Sequence, residues 1–116
     1  MASDVRALFG KYRLDSFNGK KATAEERAGV SLVLCEEGGR LYMRARVANL
    51  LQGDVKYQDG RLSGVLMTTL MMPPPRLQEV ESAIKQGFAK GMEASKDGAL
   101  LTLSEGCHTL VFVLRE

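Results

Sequence analysis

Cys107 and His108 are the first place to look for covalent chemistry, because they set a thiol beside the single imidazole of this 116-residue chain. A cysteine nucleophile needs a base within reach and a third group that orients the base. Neighbours on a strand point to opposite faces, and no orienting group is visible around "EGCHTL". The pair therefore reads as part of a hairpin turn at Glu105-Gly106. Cys35 is the only other cysteine. Two distant cysteines do not make a disulfide framework, so both read as reduced, partly buried thiols. One histidine and two separated cysteines show no zinc-ligand spacing, and no metal or other cofactor is expected. The glycines of "GVSLVLCEEGG" and "GFAKGMEASKDG" do not lead from a strand into a helix with the lysine and hydroxyl of a phosphate loop. Glu25-Glu26 and Glu36-Glu37 are sequence neighbours and read as solvated charge. No catalytic set emerges, and the chain is not expected to be an enzyme.

Two groups of residues could bind instead of react. Tyr42, Arg44 and Arg46 alternate with Leu41, Met43, Ala45 and Val47, which puts the basic set on one face of a strand and the apolar set on the other. A nucleic-acid sheet would need more stacking rings than one tyrosine. Nucleic acid is therefore not an expected partner, and Tyr42, Arg44 and Arg46 are candidate contacts for a protein partner, or a solvated face. The second group surrounds "TTLMMPPP". Met67, Met71 and Met72 precede Pro73–Pro75, and Phe88 lies on the helix that follows. Methionine adapts to irregular gaps. These four side chains either fill the core or line an apolar crevice open to a lipid acyl tail or a partner helix.

Composition bounds the rest. Sixteen Lys and Arg oppose fourteen Asp and Glu, and a net charge of +2 gives no footprint for nucleic acid. Hydrophobic residues make up 45% and tryptophan is absent, so one domain over residues 1–116 with an aliphatic, methionine-filled core is expected. No stretch approaches the roughly 18 apolar residues of a spanning helix, which argues against an integral membrane protein. "MASDVRALFGKYRL" carries Asp4 and no apolar leader core, Ala2 stands where myristoylation needs glycine, and "VLRE" is no prenylation box. The expected location is cytoplasmic.

The elements that position these residues are mostly strands. "LFGKYRLDSFNGK" predicts a strand closed by Asn18-Gly19, and the polar run 20–29 predicts a loop. Gly38-Gly39 and Asp59-Gly60 predict two further hairpins, the second with Val55 and Tyr57 facing inward and one long strand from Arg61 to Leu70. Then the period changes. Leu77, Val80, Ile84, Phe88 and Met92 recur at helical spacing, with Glu81 and Lys85 placed to pair on the outer face. Proline cannot continue a central strand but suits a first helical turn, so Pro73–Pro75 marks the junction of sheet and helix. Gly87 and Gly91 predict close approach to a strand. "GALLTLSEGCHTLVFVL" predicts a last hairpin whose second arm, apolar on both faces, is central. The fold class is α+β: a curved antiparallel meander, a partly open barrel, packed on one main helix.

In this order and spacing the stretches resemble the META domain, or HslJ-like, family. "LFGKYRLDSFNGK" resembles its opening strand and Asn-Gly turn. "VANLLQGDVKY" stands where the family has Gly-Cys-Asn and a later glycine, matching Asn49 and Gly53. "MTTLMMPPPRLQEVESAIKQGF" resembles its Thr-x-Met segment and Glu-containing helix, matching Met71 or Met72 and Glu81, and "GALLTLSEGCHTLVFV" its closing hairpin. Ala48 replaces the usual cysteine, and prolines replace the one after Thr-x-Met, so a family-type disulfide is impossible. In this the chain resembles reduced, cytosolic variants of kinetoplastid parasites, linked there to the infective stage. The resemblance implies a sheet wrapped on a helix, no agreed enzymatic activity, and an interaction module in stress response or virulence. The fold's similarity to type III secretion pilotins, which bind lipid tails, implies the acyl-tail alternative.

Overall fold

The structure is a computed structural model that describes residues 5–115; the terminal readings at Ala2, Asp4 and Glu116 lie outside the described residues. A 3-10 turn, Val5–Leu8, leads into β1 (Gly10–Phe17), a short β2 (Lys20–Lys21) and helix α1 (Ala24–Gly29). The strands β3 (Ser31–Glu37), β4 (Arg40–Arg46) and β5 (Leu50–Asp54) follow as a meander, and β6 (Lys56–Gln58) and β7 (Arg61–Ser63) as a separate hairpin at the other end of the sheet, where the sequence predicts one continuous meander. After the two-residue β8 (Met67–Thr68) comes α2 (Pro75–Lys90). β9 (Met92–Asp97), β10 (Leu100–Glu105) and β11 (His108–Leu114) complete the chain.

All ladders are antiparallel and make one sheet in the order β6-β7-β9-β10-β11-β1-β3-β4-β5-β8, with β2 on β1. The sheet curls into a partly open barrel that packs on α2, the expected α+β architecture. β11 lies between β10 and β1, the central place expected of it, with Leu110 and Phe112 of one face fully buried and Val111 and Val113 of the other half-buried. The hairpin turns follow from their residues. Gly38 and Gly39 have φ of 60 and 79, and Asp59 and Gly60 have φ of 54 and 77, the pair of positive values that two-residue hairpins require. Alternation then sends Leu32, Leu34, Met43, Ala45 and Leu51 inward, all fully buried. Val80, Ala83, Ile84, Gly87 and Phe88 are the buried stripe of α2 that meets them.

Four local expectations give way to stronger interactions. The run 20–29 is not a loop. Thr23 caps α1, its hydroxyl accepting from the Glu26 N–H at 3.1 Å while the Thr23 N–H donates to the Glu26 carboxylate at 2.9 Å. This is a capping box, and its Thr-x-x-Glu pattern is readable in "TAEE". The strand expected from Arg61 to Leu70 is broken, because β7 joins β6 and β9 at one end of the sheet while β8 joins β5 at the other. Residues 64–66 carry the chain between them. A Cβ on Gly64 would lie 2.5 Å from the Asp54 carbonyl oxygen, and the Gly64 N–H is turned to the Phe88 carbonyl at 2.8 Å.

The helix stops at Lys90, capped by Gly91 at φ 102, so Met92 belongs to β9. Met92 is nonetheless fully buried, because it folds back under Gly87, where a Cβ would meet its sulfur at 2.6 Å. Finally, the Glu81–Lys85 pair does not form. The Glu81 carboxylate turns inward to residues 48 and 49 instead.

Candidate functional site

The segment between β8 and α2 is held by one buried side chain. Asn49, in the β4–β5 connection, is 4% exposed and uses all of its amide. Its Nδ2 donates to the Met71 carbonyl and to Glu81 Oε1, each at 2.9 Å. Its Oδ1 accepts from the Thr69 hydroxyl at 2.8 Å and from the Met71 N–H at 2.6 Å. Glu81 closes the network from α2, its Oε2 accepting the Ala48 and Asn49 N–H groups at 3.0 and 2.6 Å. The prolines leave residues 69–75 few backbone donors of their own, and the network supplies the missing partners. No buried side-chain polar atom among the described residues is left without one.

What this clamp holds out is apolar. Apart from Leu100, every exposed large hydrophobic side chain among the described residues falls between 65 and 72. Leu70 is 95% exposed, Met72 87% and Val65 84%. The backbone of Met71 is fixed on both sides by Asn49, so this exposure belongs to an ordered ledge. Between the ledge and α2 lies an open groove of about 260 Å³, lined by Leu70, Met71, Met72 and Pro73 on one side and Gln78, Ser82 and Lys85 on the other.

The four residues expected around one crevice are thus divided. Met71 and Met72 line this groove. Met67, 76% exposed on β8, stands outside it, and Phe88 is fully buried beneath α2. The sequence profile of the META domain matches residues 6–116.

The chain belongs to the META domain family.

This META domain is similar to the heat shock protein HslJ of Escherichia coli (strain K12), 26% identical over 109 residues that cover 91% of this chain and 74% of HslJ. A protein structure solved by NMR superposes with a TM-score of 0.82 at 24% identity, covering 98% of this chain and 96% of that one, and shares its fold. Of the positions that the resemblance singles out, Asn49 and Glu81 meet in the clamp, and Gly53 keeps its backbone close to the crossing chain. A Cβ on Gly53 would lie 2.7 Å from the Val65 carbonyl oxygen.

The other expected site residues lie on the outer face of the META domain's sheet. Arg44 and Arg46 are exposed. Tyr42 is half-buried, donates its hydroxyl to Gln52 Oε1 at 2.7 Å, and has the Arg44 guanidinium 5.9 Å from its ring centre. Cys107 is exposed in the β10–β11 turn, while the His108 ring stacks on Phe17 with centroids 6.2 Å apart and faces the Asn18 amide at 3.4 Å. Cys35 is partly buried, and its thiol is pushed up by that burial first and then by Glu37. Among the described residues no three His, Cys, Asp or Glu side chains gather as metal ligands. The sequence did not reveal Glu26 as a core residue. It joins α1 to the start of α2 through an ion pair with Arg76, its side chain 10% exposed.

Proposed function

We propose that this META domain is a non-catalytic interaction module of a stress response, and that the 65–72 ledge is its docking surface. One observation carries the reading: the two most exposed apolar side chains, Leu70 and Met72, flank Met71, whose backbone N–H and carbonyl are both held by the buried Asn49. A contiguous apolar surface held in one conformation is the ordinary form of a docking site. The resemblance to a protein named for heat shock supports the stress setting. Leu70→Asp/Met72→Asp tests it. The variant should keep the melting temperature of the unmodified chain, because both side chains face water, and should fail to restore heat survival in cells that lack the protein. Full restoration would end the reading.

A second reading keeps the acyl tail. The groove beside Met71 and Met72 has an apolar wall and Lys85 at its rim, which suits a single-chain anionic amphiphile. Its volume of about 260 Å³ lies below the roughly 300–1,000 Å³ of ordinary ligand pockets, so the geometry favours a docked surface over an enclosed ligand. Methyl resonances of Met71 and Met72 should shift with lysophospholipid below its micelle concentration if the tail enters, and stay fixed if it does not.

A further inference from the structure

A basic sheet face runs directly into the apolar ledge. Register places Lys11, Val33, Arg44, Gln52 and Met67 side by side across β1, β3, β4, β5 and β8. Residues directly opposed in antiparallel strands share a face, so Met67 stands on the same face as Lys11 and Arg44. A second row runs Arg13, Ser31, Arg46, Leu50. It ends on the ledge as well, because Leu50 accepts from the Thr69 N–H and donates to the Thr69 hydroxyl, each at 3.1 Å, one residue before Leu70. Neither row contains a carboxylate. Lys11, Arg13, Arg44 and Arg46 are exposed, and none enters an ion pair among the described residues. Asp54, beside Tyr42 in the next row, is taken by Arg40 at 3.1 Å. Strands about 4.8 Å apart put Lys11 and Arg44, and likewise Arg13 and Arg46, about 10 Å from each other.

An acidic protein segment would use these cations and leave the ledge in water. A single-stranded nucleic acid would do the same, and would need stacking rings where only Tyr42 is present. A bilayer with anionic headgroups uses both features together, since cations bind its surface charge while neighbouring apolar side chains enter the boundary between headgroups and acyl chains. We propose that this face docks on an anionic phospholipid bilayer, with Lys11, Arg13, Arg44 and Arg46 over the headgroups and Met67, Leu70 and Met72 in the boundary. No helix among the described residues is long and apolar enough to cross a membrane. The inference rests on the ledge being a docking surface and adds the identity of the partner.

The chain has no tryptophan, so Leu70→Trp places a single reporter on the ledge. With phosphatidylcholine vesicles containing roughly one third phosphatidylserine, the protein should sediment and its emission should move to the blue. Phosphatidylcholine alone should bind at least about 10-fold more weakly. Arg44→Gln/Arg46→Gln should weaken binding about 30-fold, a factor of about 5 per cation, while Arg44→Lys/Arg46→Lys should hold it. Raising the salt should weaken the unmodified protein too, a readout that needs no substitution. Equal binding to both vesicles, sedimentation without the blue shift, or tighter Arg-dependent binding to polyglutamate or single-stranded RNA would each overturn the proposal. Absence of vesicle binding, with heat survival still lost in Leu70→Asp/Met72→Asp, would remove the bilayer and leave the docking reading standing. Full survival of that variant would remove the docking reading itself.

Discussion

Asn49→Ala tests the clamp that the whole functional reading depends on. The substitution removes four hydrogen bonds, one to the Glu81 carboxylate and three to the Thr69 hydroxyl and the Met71 backbone. A bond to an ionised group is worth about 1.5–3 kcal/mol and a neutral one about 1 kcal/mol, a gross loss of about 5 kcal/mol. Two things reduce it. Glu81 keeps its bonds from the Ala48 and Asn49 N–H groups, and the Met71 backbone borders an open groove where water can replace the amide. The expected net cost is about 2–4 kcal/mol, or about 10 °C in melting temperature for a domain of this size. Urea unfolding followed by far-ultraviolet dichroism measures the first quantity. Amide exchange at Met71 measures the second consequence, since its N–H loses its acceptor and should exchange like an open loop while β10 and β11 stay protected. A cost below about 0.5 kcal/mol, the range of surface sites, together with a protected Met71 amide would refute the clamp.

Further tests address the frame around it. Gly87→Ala would gain about 1 kcal/mol of helix propensity but force Met92 from beneath α2 at about 1–3 kcal/mol, so a net loss of up to about 2 kcal/mol in urea unfolding is expected. Burial pushes the Glu26 carboxyl up, but the Arg76 hydrogen bond, the Thr23 N–H and the Arg76 charge together hold it below its ordinary 4.5. A depressed carboxyl stabilises the fold above its unfolded value and loses that contribution as the pH falls through the folded value. The unmodified chain should therefore lose stability more steeply below about pH 4.5 than Glu26→Gln, as read from melting temperatures against pH. Burial and then Glu37 push the Cys35 thiol up, so Cys35 should alkylate slowly at neutral pH, and Glu37→Gln should speed it.

The parts of this fold that were legible in the sequence are those whose cause is local. Asn-Gly, Gly-Gly and Asp-Gly fix hairpins within a few residues, and the spacing of Leu77, Val80, Ile84 and Phe88 fixes a helix face. The β9 strand had no such signal. "MEASKD" continues the helical spacing through Met92, and it becomes a strand only because β10 and β7 offer it ladders. The break at Gly64 likewise depends on Asp54 and Phe88, which arrive from other parts of the chain. The clamp joins residues 32 apart, beyond any periodicity, and only the family resemblance pointed to Asn49 and Glu81. Local charge rules even misdirect here. The i,i+4 partner of Glu81 is worth a few tenths of a kcal/mol on a helix surface, less than the hydrogen bonds from two backbone N–H groups and an amide that it takes instead.

The ledge then follows from how the sheet ends. β7 and β8 are neighbours in sequence but lie at opposite ends of the strand order, so the chain must cross the barrel's opening between them. Past β8 the chain must leave the sheet edge for α2, and this connecting segment has no ladder partner of its own while Pro73 and Pro74 forbid one. Burying it under side chains would leave its carbonyls and amides unpaired. The structure meets that constraint by spending one buried asparagine on the backbone at Met71 and leaving the side chains outside. Two of the methionines expected as plug or pocket wall therefore line an open groove instead of a core, while Phe88 of α2 and Met92 of β9 seal the interior. Exposure of Leu70 and Met72 is thus the counterpart of a satisfied backbone. An apolar surface made in this way keeps its shape without a partner, which is the property that a docking surface needs if association is not to be charged with ordering it.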